Sequence, residues 1–115
     1  MEKLPAPYQR FMKEFREVWE TYDRLGAACH EGGPLDRKTR ELVKLGMAIG
    51  GRLEGAVHAH TRLALAAGAT PEEIRHVVLL AIPTVGFPSM MASMTWVDDI
   101  LRKRVAPKTK KRAKV

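Results

Sequence analysis

The chain has 115 residues, 45% of them hydrophobic, and a formal net charge of +7. That length fits one domain with a modest core, and that composition excludes a chain disordered throughout. No apolar run approaches the roughly 18 residues needed to span a bilayer, the first residues lack the apolar stretch of a secretory signal, and Cys29 is a lone cysteine, which excludes an intrachain disulfide and a cysteine-based zinc site.

A cytoplasmic protein without a membrane partner is the expectation. The sequence has no Asn and one Gln, Gln9. Scarce amides are one trait of thermophilic proteins, although a GC-rich genome gives a similar Ala, Arg and Gly bias. The charge is unevenly spread. Residues 102–115 hold eight of the twenty Lys and Arg and none of the thirteen acids, so residues 1–101 carry a net charge of −1.

In chain order, a first helix is predicted over 7–25, where Phe11, Phe15, Val18, Trp19, Tyr22 and Leu25 recur at spacings of three and four, with Gly26 as its end. Phe15 and Trp19 read as core. Residues 29–34, with Cys29 and the Gly32-Gly33-Pro34 run, read as a loop. Asp36 suits the N-cap of a second helix reaching Ile49, its apolar stripe made of Leu42, Leu45, Gly46 and Ile49, and Gly50-Gly51 breaks it. A third helix covers 52–67 and stops at Gly68. Thr70-Pro71-Glu72-Glu73 is a capping box with proline at the first helical position. The fourth helix that it opens carries Ile74, Val77, Val78, Ala81 and Ile82. It is apolar nearly all round from Val77 to Ile82, which places it centrally or in a subunit interface. Residues 83–88, with Pro83, Gly86 and Pro88, form a break. A fifth helix starts near Ser89 with an apolar face of Met90, Met91, Met94, Val97, Ile100 and Leu101. The methionines read as flexible packing rather than copper ligands. No strand pattern or internal repeat is visible.

These elements make an all-α bundle of about five helices over residues 1–104, with helices three and four as a tight antiparallel hairpin. Residues 105–115 form a basic tail expected to be disordered. Such a tail suits weak, salt-dependent polyanion binding. It carries no aromatic residue for base stacking, and a purely solubilising extension with no specific partner is the favoured reading.

On helix three the apolar face is Leu53, Ala56, Val57, His60, Leu63, Ala64 and Ala67, and His60 is its one ionisable member. His58 lies about 200° round the helix from His60, so the His-x-His pair does not chelate as it would on a strand, and no metal site is expected from it. Periodicity leaves two readings of His60: a core histidine bonded to a neighbour, the commoner arrangement, and a general acid/base at the edge of the bundle.

Two stretches resemble the carboxymuconolactone decarboxylase / alkylhydroperoxidase D family over roughly residues 30–101. One is Leu35-Asp36-Arg37-Lys38-Thr39-Arg40-Glu41-Leu42. The other begins His60-Thr61-Arg62 and runs through Ala66-Ala67-Gly68-Ala69-Thr70-Pro71-Glu72-Glu73-Ile74. The alkylhydroperoxidase branch spaces a Glu, two cysteines and a His so that they fall on Glu41, Leu53, Ala56 and His60. The chain thus keeps the motif's acid and histidine and lacks its Cys-x-x-Cys pair. Thiol peroxidase chemistry needs an attacking thiolate and a resolving thiol, which Leu53 and Ala56 cannot supply.

The resemblance to the decarboxylase branch implies acid/base chemistry on a small carboxylated molecule, with His60 and Glu41 catalytic and no cofactor or metal. Glu54 matches an acidic position of that branch, Arg62 or Arg52 would hold the substrate carboxylate, and Trp96 would line a pocket or an interface. For Glu41 a solvated pairing with Lys38 or Lys44 is the competing reading. The resemblance also implies a homotrimer or homohexamer with sites near subunit interfaces. Alternative functions are an oxidoreductase role using another thiol or cofactor, and a non-enzymatic oligomer that binds a small ligand.

Overall fold

The structure is a computed structural model that describes residues 4–105, and the side chains of residues 4–103. The basic tail, with the polyanion binding expected of it, lies outside the described residues except for Val105, the last residue of the final helix. Seven helices and no strand occur among the described residues: α1 (Ala6–Glu14), α2 (Arg16–Glu31), α3 (Arg37–Gly50), α4 (Glu54–Ala66), α5 (Pro71–Leu79), α6 (Ile82–Val85) and α7 (Phe87–Val105). None of them is long and apolar enough to cross a membrane. The chain divides into two compact units after Pro34, within the turn that Gly32-Gly33-Pro34 forms.

In the first unit the expected single helix is interrupted at Phe15, whose φ of −125° and ψ of 55° leave the helical region between α1 and α2. Gly26 does not end the second piece. It sits inside α2, which runs on to Glu31 and is capped by Gly32. Cys29 is therefore an exposed helical residue, not a loop residue. Phe15 and Trp19 are not core either. Phe15 is exposed and Trp19 half-buried. Phe11 contacts the rings of Phe15 and Trp19, with centroids 5.2 and 6.4 Å away, and Trp19 contacts Tyr22 at 5.9 Å. By themselves the two helices of this unit cannot enclose such rings on all sides.

The second unit holds the core. Asp36 caps α3 by accepting a hydrogen bond from the Thr39 amide at 2.8 Å. Gly51 closes that helix, as the Gly50-Gly51 pair predicts. Arg52 then turns the chain with a φ of 57°, a left-handed conformation that is uncommon outside glycine. Gly68, with φ 99°, follows α4, and the capping box is complete. Thr70 Oγ1 accepts from the Glu73 amide at 3.0 Å and Glu73 Oε1 accepts from the Thr70 amide at 2.9 Å.

The break predicted over 83–88 shrinks to Gly86 (φ 104°), because Pro83 and Pro88 both fall in the first turns of helices, where a missing N–H is no loss. The final helix accordingly starts at Phe87, and α5 stops at Leu79 rather than Ile82.

Leu45, Ala48 and Ile49 of α3, Val57 and Ala64 of α4, Ile74 and Val78 of α5, and Met90, Val97 and Leu101 of α7 form one buried cluster. The closest pairing is α3 with α4, followed by α4 with α7. The expected tight hairpin of α4 and α5 is thus corrected, since the short α5 lies mainly against α7 and α3. Lys38 of α3 pairs with Glu73 at 3.1 Å, and Arg75 pairs with Asp98 of α7, so ion pairs hold α5 to the same two helices. The buried face of α4 is also rotated from the predicted one. It centres on Val57, Thr61 and Ala64, while Leu53 and Leu63 are exposed. Thr61 can be buried in an apolar setting because its hydroxyl donates to the Val57 carbonyl at 2.7 Å.

Candidate functional site

The α3–α4 pairing sets two ionisable side chains against each other. Glu41 lies in the second turn of α3, on the buried side that also carries Leu45 and Ala48, and is only 4% exposed. A carboxylate in such a place needs a partner. His60, in the middle of α4, supplies it, with Nδ1 standing 2.9 Å from Glu41 Oε1. The His60 side chain retains 19% of its surface, so the imidazole is held by Glu41 without being sealed in the core.

This geometry resolves the two readings of Glu41. It is a buried partner of His60, and Lys38 is engaged by Glu73 instead. An ionised carboxylate only accepts hydrogen bonds, and facing one the imidazole donates from Nδ1, with Nε2 as its other ring nitrogen. The pair therefore has the parts of a general acid/base with its orienting carboxylate.

The other expected site residues are placed separately. The Arg52 guanidinium donates from Nη1 to Ser89 Oγ at 2.7 Å, tying the turn before α4 to the start of α7. Arg62 is half-buried on α4, one turn beyond His58. Trp96 is half-buried against the core from α7. Glu54 sits about 120° round the helix from His60, beside His58 and Asp99, whose Nε2 and Oδ2 atoms are 3.0 Å apart.

Sequence reasoning did not single out Ser89 and Ser93. Both are buried on α7, and Ser93 Oγ has no hydrogen-bond partner among the described residues. Their signal was present as two hydroxyls four residues apart on a helix face otherwise made of Met90, Val97 and Leu101. The clefts beside α1 and α2, lined by residues such as Gln9, Lys13 and Glu20, include neither Glu41 nor His60.

Comparison with known proteins places this arrangement in context. The model of the carboxymuconolactone decarboxylase family matches residues 16–99. Among curated proteins, an uncharacterised protein of Haemophilus influenzae is 44% identical over 48 residues, which cover 42% of this chain and 42% of the relative. A nitrosuccinic acid decarboxylase of Metarhizium robertsii is 43% identical over 60 residues, covering 52% of this chain and 42% of the relative. Both matches thus span about two-fifths of the relatives' own length. Among solved structures, the apo form of a carboxymuconolactone decarboxylase family protein from Legionella pneumophila superposes with a TM-score of 0.73 at 26% identity, over 84% of this chain and 87% of that one.

Proposed function

The chain belongs to the carboxymuconolactone decarboxylase family, and on that footing we propose that it performs decarboxylase-like acid/base chemistry on a small carboxylated molecule through His60 and Glu41. The observation that carries the reading is the 2.9 Å contact between a buried carboxylate and a partly exposed imidazole. In this reading, the bond to the departing carboxylate breaks, its electron pair passes into an adjacent electron-withdrawing group, and CO2 leaves. Protonated His60 then delivers the Nε2 proton to the substrate carbon and is reprotonated from solvent. Glu41 keeps the ring oriented and balances its charge while it is protonated.

Arg62 or Arg52 would hold the substrate carboxylate, and Trp96 would line its apolar part. The partial likeness to a nitrosuccinic acid decarboxylase supports a small acid with a group able to stabilise a carbanion. Leu53 and Ala56, standing at the redox positions of the alkylhydroperoxidase motif, argue against thiol peroxidation, as does the lack of a second cysteine in the sequence to resolve Cys29.

The test is CO2 release from a panel of small dicarboxylic acids, nitro-substituted acids and carboxylated lactones. His60→Ala should lower turnover on the responding substrate by about 10²–10⁴-fold with the helical circular dichroism unchanged. Undiminished turnover in that variant removes His60 as the acid/base.

The same reading includes assembly as a homotrimer or homohexamer. Its support is the apolar surface that the single chain leaves exposed where α5, α6 and α7 succeed one another: Leu79, Leu80, Ile82, Val85 and Phe87.

A further inference from the structure

The face of α4 opposite the Glu41–His60 contact side carries a second constellation. Glu54 and His58 are four residues apart on α4 and therefore lie one above the other on the same side of the helix. Asp99 of α7 meets them from across the helix pair. One ligand atom from each of the three lies within 4.8 Å of the others, and the closest contact is His58 Nε2 to Asp99 Oδ2 at 3.0 Å.

From this geometry we propose that Glu54, His58 and Asp99 form a binding site for a divalent transition-metal ion of the zinc type. An imidazole nitrogen with two carboxylate oxygens is a donor set for zinc, cobalt or nickel, whereas magnesium and calcium take oxygen donors. The spacing fits. Two donors on a tetrahedral ion at roughly 2.0–2.1 Å stand about 3.4 Å apart, so His58 and Asp99 need only small side-chain rotations to exchange their shared proton for a metal. Glu54 must close the remaining gap, which a flexible, exposed glutamate can do.

The backbone beneath is fixed. Val57 of α4 and Val97 and Ile100 of α7 are buried beside the ligands, so the site is built on two packed helices rather than on a loop, which favours a defined geometry. His58 keeps 24% of its side-chain surface and Asp99 half of its own. Three protein ligands that face solvent leave a fourth position for water or a ligand oxygen. A bound ion would clamp α4 to α7, and binding only to the folded chain would raise its thermal stability.

The test is calorimetric titration of the full chain with Zn²⁺, run beside Mg²⁺. The expected result is uptake of one Zn²⁺ per chain, a higher Tm with Zn²⁺, and no comparable uptake of Mg²⁺. His58→Gln and Asp99→Asn should each weaken Zn²⁺ binding by roughly tenfold or more, with helical circular dichroism preserved. His76→Gln, which alters a histidine exposed on α5, should leave it unchanged. Visible absorption of the Co²⁺-loaded chain should show ligand-field bands that Asp99→Asn abolishes. Absence of Zn²⁺ uptake, uptake unaltered in His58→Gln, or loss of uptake in His76→Gln overturns the site.

Discussion

The Glu41–His60 contact makes separate demands on charge and on shape. A glutamine at position 41 can still accept from His60 Nδ1 through its amide oxygen, but it cannot balance an imidazolium. If its amide turns the other way, it also favours the wrong tautomer. Glu41→Gln should therefore fold and lower turnover by about 10²–10⁴-fold, measured on the substrate that wild type decarboxylates. Turnover equal to wild type would reduce Glu41 to packing. Both members of the pair were legible in the sequence for different reasons. His60 stood out as the one titratable residue on an apolar stripe, and Glu41 only through the motif spacing shared with the family. The Glu54–His58–Asp99 cluster was half legible, since the four-residue spacing shows two ligands, but Asp99 is 41 residues from His58 and only packing brings it there. Arg52 was opaque. Gly50-Gly51 announces a turn, yet the left-handed residue is the arginine that follows, held by its hydrogen bond to Ser89.

At the scale of the elements, the boundaries marked by side-chain caps were readable and those set by packing were not. Asp36 and Thr70 stand where predicted, because each accepts a hydrogen bond from an otherwise orphaned helix amide. No side-chain cap marks the α1–α2 interruption, and the rotation of the α4 face depends on neighbours that periodicity does not contain. Thr70→Ala should destabilise by about 1 kcal/mol in urea unfolding, and an unchanged midpoint would show that the capping box contributes nothing. Hydrogen bonds from Thr39 hold the Asp36 carboxyl below its ordinary value, and the Thr70 backbone amide, then Lys38, do the same for Glu73. A depressed folded value means that the stabilisation is complete above the unfolded value, near about 4, and is lost as pH falls through the lower folded one. Replacing both, Asp36→Asn with Glu73→Gln, should flatten the acid side of the Tm–pH profile and leave its shape above pH about 6 unaltered. Deeper in the unit, Leu45→Ala should cost about 2–5 kcal/mol, because Leu45 is fully buried where α3 meets the core.

For the whole molecule, the issue is where the apolar surface goes. Leu79 and Leu80 are each about half exposed (51% and 54%), and Ile82, Val85 and Phe87 continue the exposed apolar run. The sequence signalled this as a fourth helix apolar nearly all round, without showing which part the chain itself would cover. Its own core takes Ile74, Val78 and Ala81, with Val77 partly buried against it, and Leu79, Leu80 and Ile82 face outward. Monomeric proteins rarely present contiguous apolar patches of more than a few hundred Å², and closed symmetric assembly of identical copies is the common way to cover one. The wild-type chain should therefore sediment as a trimer or hexamer. Leu79→Glu combined with Leu80→Glu should shift it toward monomer, because a carboxylate buried against an apolar partner without a counter-charge is strongly unfavourable. Helical circular dichroism should persist in that variant, since neither leucine belongs to the buried cluster. A wild-type monomer at micromolar concentration would refute the assembly while leaving the Glu41–His60 chemistry to be judged by its own variants.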